Sequence, residues 1–181
     1  DSFARDIRRA RADGANVKLF SGHLGVVKTS ELFRLKALLE KGGDGRPGFV
    51  VVYCDVSDKL DVNDLDFPDL LVFVAAQLQQ ELAKMKLPGF TPATTYLKRA
   101  WDDIRSMLGA QVEFKEAELD TGFGKLVMDL RNRPTSRALL RDAVEQHSTS
   151  LLIAVNDLLG SAKASAIQAG HAGLVLIVDG L

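Results

Sequence analysis

Two apolar runs do most to limit the folds open to this chain. FVVVYCD (49–55) and LVLIV (174–178) are short, unbroken and rich in β-branched residues. A strand with one wet face alternates apolar and polar side chains, so a run without alternation reads as a strand covered on both faces. Strands of that kind belong to parallel sheets with helices above and below. The neighbouring segments agree. VKLF (17–20) reads as a short strand, and from Thr29 to about Lys41 the residues Leu32, Leu35, Leu38 and Leu39 form a helical stripe that Gly42-Gly43 ends. Strand, loop, helix, strand is the order of a parallel α/β unit.

The remaining segments are mostly helical. Phe3, Ile7 and Ala10 predict a helix over 2–13, and Arg5, Arg8, Arg9 and Arg11 make it a solvated amphipathic helix rather than a basic binding patch. GGDGRPG (42–48) is turn material, and 56–66 is acidic and irregular. Pro68 opens a helix to about Met85, with Leu71, Val74, Ala75, Leu78 and Leu82 facing inward. LPGFTP (87–92) breaks it, and 93–108 forms another, with Leu97, Trp101, Ile104 and Leu108 as its stripe. In 109–133, VEFKEAEL alternates, TGFGK is turn-like and KLVMDL suits a strand, which predicts a small β excursion. Residues 87–133 thus read as a helical and β insertion within one domain, 1–181. Pro134 starts a helical region to about Ala169, with Leu139, Leu140, Val144, Leu151, Leu152, Val155 and Leu158 on one side and Gly160 as a break or kink.

Composition narrows the setting. A chain of 181 residues, 46% hydrophobic, builds a core without disulfides or metals. A net charge of −1 provides no global attraction for nucleic acid or an anionic membrane. Cys54 is the only cysteine, which fits a reducing, cytoplasmic location. No apolar run approaches the roughly 20 residues of a membrane helix, and DSFARDIRRARADG lacks the apolar centre of a signal peptide. The chain has no initiator Met and stops in an apolar segment, so both ends read as boundaries rather than natural termini.

Two motifs carry chemistry. Gly22-His23-Leu24-Gly25-Val26-Val27-Lys28-Thr29 lies between a strand and a helix, with Gly22, Lys28 and Thr29 in register with the phosphate-loop pattern G-x-x-x-x-G-K-[ST]. Successive backbone N–H groups and the helix start bind phosphate oxygens there. Lys28 would reach the β- and γ-phosphates and the Thr29 hydroxyl would hold Mg²⁺. The second motif is LVLIVD (174–179), a buried strand ending in Asp179. At the carboxyl edge of an open α/β sheet, where ligands bind, that carboxylate is placed for Mg²⁺. Either motif alone has a plainer explanation, a helix start or a turn-forming Asp. Together, on an α/β pattern, they are more specific.

Longer stretches resemble a known family. GHLGVVKTSELFRLKALLE (22–40) is similar to the phosphate-loop segment of bacterial AAA+/STAND-type ATPases, FVVVYCDVSDKLDVNDLDFPDLLVFVAAQL (49–78) to the strand, acidic loop and helix that follow, and GLVLIVDGL (173–181) to their Walker B segment. The resemblance implies a P-loop NTPase-like parallel sheet flanked by helices, and an ATP-driven switch or ATPase module often joined to sensor or effector domains. ATP or ADP with Mg²⁺ would be the ligands, at Gly22, His23, Leu24, Gly25, Val26, Val27, Lys28, Thr29 and Ser30, with Thr29 and Asp179 on the metal. Other protein chains or further domains would be its macromolecular partners. The family also places a further strand, encoded after Walker B, between the Walker A and Walker B strands. The chain ends at Leu181 before it, so the expected sheet is incomplete, and no catalytic residue is identified.

The sequence departs from the family at informative places. Val27 stands where the loop has a glycine before its lysine, and a β-branched side chain adds bulk where phosphate oxygens lie. Leu24 and Ser30 differ too, Ser30 conservatively. Weak nucleotide binding and impaired hydrolysis are the expectation. A non-enzymatic interaction module on the same fold, using helices 67–108 and 135–169, stays open as the alternative. A nuclease or transferase ranks last, because no paired catalytic carboxylates or nucleophile–base set stands out.

Other chemistry-bearing residues have plain readings. His23 positions the loop, His147 sits exposed on a helix, and His171 lies in a turn. Three scattered histidines and one cysteine make no metal pattern. Cys54 reads as a small core residue. Trp101 shares a helix face with Leu97 and reads as core or interface, and Tyr96 is off that face. Asp55, Asp58, Asp61, Asp64, Asp66 and Asp69 form an acidic run without EF-hand spacing, a solvated loop with capping carboxylates, although Asp55 could approach the nucleotide site. Gly122-Phe123-Gly124-Lys125 is a turn lacking the following Ser/Thr.

Overall fold

The computed structural model describes residues 2–9, 17–19, 28–43, 45–90, 93–108 and 134–181. The elements in order are α1 (Ser2–Arg9), α2 (Lys28–Lys41), β1 (Val50–Asp55), α3 (Val56–Lys59), a 3₁₀ turn (Val62–Asp64), α4 (Phe67–Met85), α5 (Ala93–Leu108), α6 (Pro134–Gln146), α7 (Ser148–Gln168) and β2 (Leu174–Asp179). Among the described residues this is a mixed α/β structure, mostly helical, with a small two-stranded parallel sheet.

β1 and β2 pair in phase, Val50 opposite Leu174 through to Asp55 opposite Asp179. Alternation of side chains along a strand then gives each face its own layer. Val51, Tyr53, Val175 and Ile177 pack with Leu32, Leu35 and Leu39 of α2 and with Phe3, Ala4 and Ile7 of α1. Val52, Cys54, Leu174, Leu176 and Val178 face the larger core of α4, α5, α6 and α7, in which Phe73, Leu78, Leu97, Ile104, Leu151 and Leu158 are fully buried. Each buried leucine contributes roughly 1.5–3 kcal/mol relative to an exposed one.

Local chemistry sets the helix ends. Gly42 terminates α2 at φ +70, where an added Cβ would meet the Arg46 carbonyl oxygen at 2.5 Å. Arg8 reaches across from α1 and donates to the Leu38 and Gly42 carbonyls, at 2.6 and 3.0 Å, which the last turn of α2 leaves open. α4 starts with a reciprocal cap between Asp66 and Asp69, and Lys86 ends it in a left-handed conformation. Asp69 is only 3% exposed and is paired by Arg141 of α6, whose Nε lies 3.1 and 3.0 Å from its two oxygens. Arg137 and Arg141 also bind Asp64, so the acidic segment is fastened to α6.

Several expectations need correction. VKLF (17–20) was expected to be a strand. Residues 17–19 are irregular, with Val17 92% and Leu19 90% exposed, and Phe20 lies outside the described residues. A strand needs a hydrogen-bonding neighbour, and neither β1 nor β2 supplies one here. The stretch 56–66 is more ordered than expected, because Asp55 and Asp61 cap a helical turn and a 3₁₀ turn. The single helix over 134–169 is two helices, broken at His147 rather than at Gly160. No side chain caps the new start at His147, and Ser150 Oγ donates back to the His147 carbonyl at 2.9 Å. Gly160 sits within α7 facing open space. Leu139 and Leu152 are exposed rather than inward; Leu152 follows buried Leu151 on the same helix and so points to a different side. α7 is also long and apolar enough to cross a membrane by length and composition, although polar residues interrupt the run in sequence. Its Leu151, Ala154, Val155, Leu158, Ala162 and Ala166 are buried against the other helices, while Leu152, Ile153 and Ile167 are exposed. The β excursion over 109–133 and the turn at Gly122 lie outside the described residues.

Candidate functional site

Three elements converge at the carboxyl edge of the sheet. β1 closes with Asp55, β2 closes with Asp179 directly opposite, and α2 begins at Lys28. Parity along β2 puts Asp179 on the same face as Val175 and Ile177, the face that α2 covers. The first amides of a helix have no intrahelical partner, so the start of α2 is electropositive.

Asp179 gathers donors from each neighbour. Its Oδ2 accepts from the Tyr53 hydroxyl at 2.6 Å, and its Oδ1 accepts from the Gly180 N–H at 2.8 Å. The Thr29 hydroxyl lies within hydrogen-bonding reach of the same carboxylate, and the Lys28 ammonium lies near enough to act on it as a positive charge. Burial pushes the Asp179 pKa up. The hydrogen bonds from Tyr53, Thr29 and Gly180 and the charge of Lys28 outweigh burial and hold it below the ordinary carboxylate value. Burial and then the Asp179 bond, with the charges of Asp179 and Asp55, push the Tyr53 phenol well above its usual range. Tyr53 therefore remains a donor.

The structure thus brings Lys28, Thr29 and Asp179 together. Lys28 is half-buried, and Thr29 and Ser30 are exposed on the same helical turn. Gly22, His23, Leu24, Gly25, Val26 and Val27 lie outside the described residues. Asp55 reaches the same edge but is engaged locally, accepting from Ser57 Oγ at 2.7 Å and from the Asp58 N–H at 3.3 Å. Gly180 turns the chain away after Asp179 at φ +81, where a Cβ would lie 2.7 Å from the Ser57 nitrogen.

Two residues went unnoticed in the sequence. Tyr53 is the only hydroxyl-bearing residue within the apolar run of β1, and it lies diagonally across from Asp179 because Tyr53 pairs with Ile177. Phe33, four residues after Thr29, stacks on Tyr53 with ring centroids 4.6 Å apart. The period of the strand gave Tyr53 its face, but only the strand register gave its partner.

Elsewhere the plain readings describe the side chains. Cys54 is buried, and burial followed by the charge of Glu81 pushes its thiol up to about 12. His171 is exposed. His147 is not on a helix face but at the α6–α7 junction, with Nε2 3.0 Å from Met107 Sδ. The Trp101 and Tyr96 side chains and His23 lie outside the described residues. Among the described residues no three His, Cys, Asp or Glu side chains group as a metal cluster. No family model matches this chain, and no curated protein or solved structure matches it.

Proposed function

We propose that this chain is a cytoplasmic ATP-binding module of the P-loop, AAA+/STAND type, a regulatory switch or ATPase core with weakened nucleotide affinity. One juxtaposition supports the reading: Thr29 and Lys28, opening α2, meet Asp179, closing a parallel strand. An anion at the start of α2 would be met by the amides of its first turn and by the Lys28 ammonium. The low pKa of Asp179 keeps it ionised at neutral pH.

The residues fit a magnesium ion. Mg²⁺ favours hard oxygen donors and takes one or two protein groups beside phosphate and water. The Thr29 hydroxyl and the Asp179 carboxylate, already in contact, are such a pair. When bound, the ion would neutralise charge on the β- and γ-phosphates. Lys28 would orient the phosphate chain, and Val27 would oppose its close approach.

Calorimetric titration with Mg-ATP tests this. The native chain is expected to bind weakly, Val27→Gly about tenfold more tightly, a gain of ~1.4 kcal/mol, and Lys28→Ala not at all. Absence of binding by Val27→Gly would refute the reading, and tight binding by the native chain would refute the impairment.

A further inference from the structure

The geometry points to Tyr53 as a positioning residue for the Asp179 carboxylate, held by Phe33 so that Asp179 presents its oxygens to Thr29. This inference rests on the nucleotide-binding reading above and concerns the same site.

Asp179 is the last residue of β2, where ladder bonds end and a side chain has rotational freedom. Two side-chain donors and one amide remove that freedom. Tyr53 Oη holds Oδ2 at 2.6 Å, the Gly180 N–H holds Oδ1 at 2.8 Å, and Thr29 approaches from α2. The donors come from three places in the chain, so the carboxylate plane is fixed in more than one direction. Tyr53 is itself fixed: its backbone is in the β1 ladder and its ring stacks on Phe33 at 4.6 Å with planes 25° apart. Thr29 and Phe33 lie one helical turn apart on α2, a spacing that puts both on one face. The helix that would receive the phosphate thus touches the carboxylate directly through Thr29 and indirectly through Phe33 and Tyr53. Partners that orient a metal-binding group matter for affinity, and their loss typically weakens metal binding by roughly 10–100-fold.

The test is Tyr53→Phe, which removes one oxygen and keeps the ring against Phe33. Mn²⁺ binding is followed by loss of the free-ion electron paramagnetic resonance signal, with ATP present, and ATP binding is measured separately in chelator without metal. Mn²⁺ affinity is expected to fall about tenfold while metal-free ATP affinity stays unchanged. A Mg²⁺-induced tyrosine ultraviolet difference spectrum in the native chain, abolished in Tyr53→Phe, is the accompanying signature. Unchanged Mn²⁺ affinity in a Tyr53→Phe protein with native circular dichroism overturns the positioning role and leaves the nucleotide reading standing. An equal fall in metal-free ATP affinity also overturns it, because the loss is then general. If the native chain binds neither Mn²⁺ nor ATP, the nucleotide reading falls and the positioning role falls with it.

Discussion

Replacing Gly180 with alanine should destabilise the fold by about 3 kcal/mol, and replacing Gly170 by only about 1 kcal/mol. Both glycines have positive φ, +81 and +88. A residue with a Cβ in that region costs roughly 1–2 kcal/mol, partly offset by about 0.4–1 kcal/mol from a stiffer unfolded chain. Gly170 faces open space, so nothing is added there. At Gly180 the new Cβ would stand 2.7 Å from the Ser57 nitrogen, 2.9 Å from its Cβ and 3.0 Å from its Oγ. The first of these contacts is with backbone, which cannot swing aside as a side-chain end can. Overpacking of this kind costs roughly 1–3 kcal/mol, and taking ~2 gives the difference between the two variants. Urea unfolding followed by circular dichroism, with unchanged slope, measures both. Equal losses at the two positions would refute the close packing of Gly180 on Ser57.

Two further outcomes follow from ionised groups. The Asp179 pKa is lower in the folded chain than its ordinary 3.8, so its contribution to stability is fully present above that value and is lost as pH falls through the folded value. Asp179→Asn should therefore flatten the decline of stability on acidification below about pH 4, measured by thermal melts across pH, and an unchanged profile would contradict the lowered pKa. Arg141→Met leaves the Asp69 carboxylate buried without its guanidinium and should destabilise by about 3 kcal/mol, the low end for a broken buried pair because Arg141 is partly exposed. Adding Asp69→Asn should recover part of that loss; a single-variant cost below about 1 kcal/mol would show that water replaces Arg141.

What could be read from the sequence depended on the range of the interactions. The runs at 49–55 and 174–178 gave both strands because burial on two faces leaves a local pattern. Leu32, Leu35 and Leu39 gave α2, and Pro68 with the neighbouring aspartates gave the start of α4, for the same reason. The break at His147 leaves little local signature, because the apolar stripe continues across it and no side chain caps the new start. Residues 17–19 were misread because apolar character alone does not make a strand; a pairing edge does. Motif spacing also led to the proximity of Lys28, Thr29 and Asp179 at one edge of the sheet. Tyr53 and Phe33 were not legible: the Tyr53–Asp179 bond depends on the register between two distant strands, and the Tyr53–Phe33 stack on how α2 packs against β1, and no local pattern encodes either.

The in-phase ladder has a consequence for how this chain can change. Asp179 faces the α1–α2 layer only because an odd–even count along β2 puts it there, while Val178 beside it enters the large helical core. One residue gained or lost within β2 would reverse that count and drive a charge into packed hydrocarbon. Branched aliphatics can replace one another along the strand at modest cost, but its length is under far stricter control. Insertions and deletions should therefore collect in the connecting segments and be purged from the six residues before the rim.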